Sequence, residues 1–469
     1  MNAFHPTGWR SFATIGLGTM VVPLDSAVNV AFPAITSAFG VPDSGIQWVI
    51  VCYVITNATL LLVFGRVGDL FGHLAVFRAG LAISALAFLG SGMAETFEIL
   101  LITRAVQGIG AAMVLSCGPA LATAAFDPTE RVRALSSYAA VLGFAMTIGP
   151  SLGGLLVEHW GWSAVFWFRL PIALAALAAS SAVLIPRQVH APGRLDAGNA
   201  LALATALGAV LVGVSRARYG TMTALEISIY AAVFSAAVVV LRRAPRGGDN
   251  AVIAFSMFRS VRLSLVTATG IVVNLVGFAV MLFVPFYFVR TASLPVSLAG
   301  LLLAASPLGI VIGGQAAPYL TRRLGAPLTA LWGAAVVGVA TAWIGFWHPG
   351  VSVGLMGTAA LLHGLGLGLY QVAQLDVSTA VLPPHNRGVA GALVMLTRTF
   401  GVVLAASSLT ALFVFIEADA QHLAPDGAFL SAFQKTFLMA ASGLGAFLGL
   451  SLLVPGGWLG GRAAQNGGP

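Results

Sequence analysis

The chain has 469 residues, 58% of them hydrophobic and only 8% charged, with a formal net charge of +8. A soluble chain carries about 25% charged residues, so this one has too little polar surface to meet water on every side, and lipid is its main solvent. The positive balance does not point to nucleic acid, because the arginines fall in short gaps between apolar stretches and not in dense runs with interleaved aromatics.

A helix needs about 20 apolar residues to cross a bilayer. Six stretches of that kind precede residue 186, at roughly 11–33, 46–64, 75–94, 98–120, 134–157 and 164–185. Six more follow residue 260, at roughly 263–288, 297–317, 327–347, 352–374, 389–415 and 433–454. Two shorter apolar stretches, about 198–214 and 225–241, bring the expected total to about fourteen. The first span runs from Trp9 to Pro33 with no A-x-A cleavage site, so it reads as an uncleaved anchor. Cys52 and Cys117 lie far apart inside apolar runs, without metal-ligand spacing, and read as small apolar residues.

Charge placement orients this plan. With the N-terminus in the cytoplasm, Arg10, Arg66, Arg78, Arg131, Arg187, Arg242, Arg322, Arg387 and others fall inside. Only Arg216, Arg218, Arg290 and Lys435 fall outside, a bias of about sixteen to four that follows the positive-inside rule. Both termini are then cytoplasmic, and removing the central pair as one hairpin leaves that parity unchanged. The expected fold is an all-α polytopic membrane protein: a six-helix bundle over 1–186, a linker with two extra helices over 187–251, and a second six-helix bundle over 252–469. Internal repeats around a midplane site are a common plan among secondary transporters.

Ionisable groups inside lipid are costly and mark functional sites. Asp25 lies in the first span, Arg104 in the fourth and Arg169 in the sixth, all roughly 10 Å below the outer face at 1.5 Å rise per residue. A shared cluster is therefore possible. An acid beside an arginine suits proton coupling, because the cation favours the carboxylate while burial favours the neutral acid; a fixed ion pair orienting helices is the alternative. Asn29 stands four residues after Asp25, on one face of a regular helix, with Pro33 a further turn on. In the second half His363 and Arg398 fall near the midplane, and His363 reads as either a titrating group or a satisfied packing residue. Asn57, Gln107, Asn274 and Gln371 are candidates for lining a substrate cavity or bonding neighbouring helices.

The run GPSLGG, with Gly149, Pro150, Gly153 and Gly154, places a kink and a close-packing surface in the fifth span. GLGLG around Gly364 is not a dinucleotide loop, since it sits within a span and no strand precedes it. No GK[ST] loop, metal cluster or nucleophile motif is present, so no cofactor, metal or catalytic residue is expected.

With those residues in view, the chain resembles the major facilitator superfamily, in particular its fourteen-span drug:proton antiporter branch, over nearly its whole length. LDSAVNVAFP resembles the first-span motif at Asp25, Asn29 and Pro33, and GRVGDLFGHLAVF resembles the loop motif at Gly65, Asp69 and Gly72. Arg104, Gln107, Gly108 and Gly110 match the fourth-span motif, whose arginine the family assigns to proton transfer. Gly149, Pro150, Gly153 and Gly154 match the antiporter motif, and Arg398 with Gly401 resembles a late R-x-x-G. Two departures stand out. Leu70, His73 and Leu74 replace arginines of the loop motif, leaving Asp69 short of its usual partners, and Arg169 stands where the branch usually has Asn. Three arginines against one deep acid then favour a neutral or anionic substrate.

The resemblance implies a non-enzymatic transporter in a bacterial cytoplasmic (inner) membrane, exporting small organic molecules by proton antiport with the proton gradient as energy source. Asp25 and Arg104 would couple protons, and Gly65, Asp69 and Gly72 would serve gating. Its partners are a small-molecule substrate, protons and the lipid bilayer, with no nucleic acid, and the expected state is a monomer. Proton-symport uptake of an organic acid or nutrient is the nearest rival, and a non-transporting sensor or scaffold the distant one.

Overall fold

The computed structural model describes residues 6–42, 45–124, 126, 130–181, 260–381, 387–420 and 424–458, with scattered positions between 205 and 236. Every regular element among the described residues is helical. In chain order these are α1 (Pro6–Met20), α2 (Ala27–Val30), α3 (Phe32–Phe39), α4 (Gln47–Phe71), α5 (His73–Gly92), α6 (Phe97–Ala124), α7 (Arg131–Trp160), α8 (Ala164–Trp167) and α9 (Arg169–Ser180). There follow α10 (Val261–Phe286), α11 (Val296–Leu324), α12 (Ala326–Gly345), α13 (Val353–Val381), α14 (Arg387–Leu404), α15 (Thr410–Asp419) and α16 (Pro425–Leu452). Among the described residues ten helices are long and apolar enough to cross a membrane, Gln47–Phe71 adds one bent by 47°, and Ala164–Ser180 is shorter. These occupy the twelve outer spans expected from the sequence. The two central apolar stretches lie almost wholly outside the described residues.

Two units separate by contact: Met1–Ala244 with Pro295–Gly300, and Pro245–Leu294 with Leu301–Pro469. In the first, α6 packs between α4 and α5, with α1, α7 and α9 around them. Its core is built from Ile15, Phe77, Leu81, Phe88 and Val114, all buried. In the second, α12 packs on α13 and α16, and α10 on α14. Tyr287, Trp347 and Phe433 form an aromatic cluster there, with Tyr287 and Phe433 stacked at 4.9 Å.

The span expected over 11–33 is not one regular helix throughout. The backbone tightens to i→i−3 bonding at Asp25 and again at Ala31, with a 3₁₀ turn over Pro23–Ser26. Pro23 has no N–H to give an α-type bond, and the chain takes a tighter turn ahead of α2. The partly buried acid Asp25 thus sits in a 3₁₀ turn and not in a regular helix.

One-residue turns recur at equivalent places. Gly72 (φ +97°) joins α4 to α5, and Gly325 (φ +87°) joins α11 to α12. Both conformations suit glycine alone, which explains the second glycine of the loop motif and shows a duplicated plan at the backbone level. Gly72→Ala is expected to cost about 1–3 kcal/mol, read as earlier thermal unfolding of the solubilised protein. GLGLG also gains a purpose: Gly364 and Gly368 abut the backbone of Ser306 and Ile310 in α11, whereas Gly366 abuts Val337 and Gly333 in α12. Alternate glycines let α13 approach two helices at once.

Candidate functional site

The first unit converges on Asp25. Arg104 reaches it from α6 as a two-legged fork, Nη1 to Oδ1 at 2.6 Å and Nη2 to Oδ2 at 2.8 Å. Arg169 donates from the start of α9 through Nη1 to Oδ1 at 2.6 Å, and Gln107 Nε2 donates to the same oxygen at 2.9 Å. Oδ1 therefore accepts three hydrogen bonds and Oδ2 one. The guanidinium residues are 1% and 0% exposed, while the Asp25 side chain is 14% exposed.

Each arginine is clamped by a neighbour other than the acid. Arg104 Nε donates to the Val49 carbonyl at 2.9 Å, its Nη1 also reaches Gln107 Oε1, and its guanidinium lies 4.5 Å from the Tyr53 ring centroid. Val49 and Tyr53 are four apart on α4 and so share the face that meets α6. Arg169 Nε donates to the Val165 carbonyl at 3.0 Å, and the group lies over Phe88 and Phe166 at 4.5 and 5.4 Å. Its Nη2 has no hydrogen-bond partner among the described residues. Two guanidiniums and one carboxylate leave a surplus of one positive charge, because arginine stays protonated in proteins.

Glycines set the distances. A Cβ on Gly108 would stand 2.7 Å from the Tyr53 carbonyl, and one on Gly110 would stand 2.4 Å from Ser84 Oγ, so both let α6 seat against α4 and α5. Gly149 faces Ser26 and Gly153 faces Ala27, the two residues after Asp25, and Ser26 Oγ donates to the Met146 carbonyl at 3.1 Å. The GPSLGG run thus packs α7 directly on the turn that carries the acid. Pro150 lies within α7, which continues through it, and Gly154 is buried on the same helix. Gly153→Ala would place its Cβ 2.7 Å from the Ala27 carbonyl, and a stability loss of about 1–3 kcal/mol is expected in thermal unfolding. Gly65→Ala, whose added Cβ would meet Ser116 Cβ at 3.9 Å, is expected to cost far less.

The remaining candidates are spread out. Asn29 and Asn57 are half-buried on α2 and α4. Asp69, near the end of α4, pairs with His73 Nε2 at 3.2 Å and Arg66 Nη1 at 3.8 Å. His73 thus supplies a partner where the loop motif usually places arginine. In the second unit Asn274 Nδ2 donates to the Gly270 carbonyl at 2.7 Å, and Gly401 of α14 packs against Asn274 and Ile271. Gln371 is half-buried on α13, and Arg398 is exposed on α14. His363 is 1% exposed, with Nδ1 3.1 Å from Ser306 Oγ. Among the described residues no group of His, Cys, Asp and Glu could hold a metal ion.

The sequence profile of the Major Facilitator Superfamily matches residues 15–406. The chain belongs to that superfamily. It is 30% identical over 403 residues to the tetracenomycin C resistance and export protein of Streptomyces glaucescens, covering 82% of this chain and 72% of that one. It is 29% identical over 433 residues to the puromycin resistance protein pur8 of Streptomyces alboniger, covering 90% and 84%. The crystal structure of a bacterial homologue of the human lysosomal transporter Spinster, inward-facing and unoccupied, superposes with a TM-score of 0.68 at 18% identity, covering 96% of each chain. That likeness is one of fold. As a major facilitator the chain is a multi-pass membrane transporter of small molecules and not an enzyme.

Residues that clamp the arginines escaped the sequence reading. Val49 contributes a carbonyl that any residue type supplies, and Tyr53, Phe88 and Phe166 look like core aromatics in apolar helices. Gln107 was legible, three residues after Arg104 on one helix face.

Proposed function

We propose that this major facilitator is a proton-coupled antiporter that exports small, neutral or anionic organic molecules across a bacterial cytoplasmic membrane. In this reading it works as a monomer with both termini inside. The observation that carries it is the uneven load on Asp25: three donors on Oδ1 and one on Oδ2. A proton arriving at Oδ2 displaces one donor, the Nη2 leg of Arg104. Arg169 and Gln107 keep hold of Oδ1, so the carboxyl stays in place while the Arg104 fork opens. Because α7 is packed on the next two residues, Ser26 and Ala27, a change at this turn is passed to a long helix. Resistance and export proteins among the relatives support the outward direction.

Everted vesicles test this. Acidifying the lumen by respiration should drive substrate inward, and adding substrate should release lumenal protons; substrate that moves without any proton movement would sink the antiport. A second reading, proton-symport uptake of an organic acid, draws on the surplus positive charge of the Arg104–Arg169 pair. It predicts that acid and proton cross in the same direction in the same vesicles.

A further inference from the structure

We infer that the Asp25 site selects substrates that are uncharged at neutral pH and present a hydrogen-bond acceptor, and that Arg169 is the residue that rejects organic cations. The inference rests on the antiport reading and narrows its substrate class.

Consider each charge in turn. An organic cation would need Asp25 as its counter-ion. Four hydrogen bonds already reach that carboxylate, three on Oδ1 and one on Oδ2, and three of them come from arginine. Both cations are also held in place at Nε, Arg104 by the Val49 carbonyl and Arg169 by the Val165 carbonyl, and both arginines are buried. A cation would therefore approach a carboxylate whose charge two arginines already outweigh, leaving a surplus positive charge.

An organic anion fits the surplus but fails the coupling. Placed against the arginines it takes over the role of the Asp25 carboxylate and so favours a proton on Asp25. Linkage is reciprocal, hence the proton favours the anion equally. The two would load together and cross together, whereas exchange requires that they exclude one another.

An uncharged ligand escapes both objections. It leaves the Coulomb balance unchanged, so substrate and proton can exclude one another through the geometry of the fork. The cluster also shows which polarity it lacks. Every donor nitrogen of Arg104 and Arg169 has an acceptor among the described residues except Arg169 Nη2. A carbonyl or phenolic oxygen is the complement to that group.

The test is a susceptibility panel in an efflux-deficient bacterial host, scored as protection by the wild type relative to Asp25→Asn. It contains uncharged inhibitors such as chloramphenicol, the permanent cations tetraphenylphosphonium and ethidium, and the acids salicylate and fusidate. Protection of about tenfold or more, the scale of one Coulombic discrimination step, is expected only among uncharged members. Arg169→Asn and Arg169→Gln, checked for wild-type membrane levels, should gain about tenfold protection against tetraphenylphosphonium. Asp25-dependent protection by the wild type against either permanent cation overturns the inference and leaves antiport standing. Acids that cross with protons overturn it in favour of symport. A panel with no Asp25-dependent member overturns the antiport reading together with this one.

Discussion

Asp25→Asn is expected to reach the membrane at wild-type levels and to lose proton-driven export altogether. Asn keeps the shape of the carboxyl and one acceptor oxygen, so Arg169 and Arg104 retain a partner at the Oδ1 position. If Asp25 takes up a proton in every cycle, the fold must already tolerate a neutral side chain between the two arginines. What Asn cannot do is bind and release that proton. Counterflow in vesicles, which needs no net proton movement, should survive in the same preparation that fails to respond to a pH gradient. A merely structural pair behaves otherwise, because removing one partner of a buried ion pair costs about 3–5 kcal/mol. Protein yield and counterflow would then fall together, and that outcome would assign Asp25 to architecture.

Arg104→Lys is expected to be nearly as severe, with a loss of about 100-fold or more in proton-driven transport, the equivalent of about 3 kcal/mol. Lysine preserves the charge but not the fork. One ammonium cannot span both carboxylate oxygens, donate to the Val49 carbonyl and lie flat over Tyr53. Arg169→Lys makes a useful contrast, since Arg169 gives Asp25 a single bond and a lysine can replace it. Initial rates at a fixed pH gradient, normalised to membrane protein, separate the two. Equal losses in both variants would mean that charge alone matters and that the fork has no special part in proton exchange.

Much of the architecture was written in the sequence in terms any apolar helix obeys. Span lengths, the paucity of charge and the placement of arginine in the gaps reflect the cost of polar groups in lipid, which acts locally and leaves a periodic record. The glycines at 72 and 325 likewise report on their own backbone angles. Counting along a regular helix leaves out the local break at Pro23, where the chain takes the 3₁₀ turn that carries Asp25.

The sequence by itself determined that three ionisable residues, Asp25, Arg104 and Arg169, lie at similar depth in spans one, four and six. Depth follows from rise per residue and needs no knowledge of packing. Only the tertiary structure decided that the three touch, that Oδ1 takes three donors and Oδ2 one, and that carbonyls of Val49 and Val165 hold the arginines. The reason is geometric: which faces of three separate helices meet depends on the glycines at 108, 110, 149 and 153, each fitted to a backbone or side chain on another helix. A linear sequence records the small residues but not the partner each one was shaped to admit.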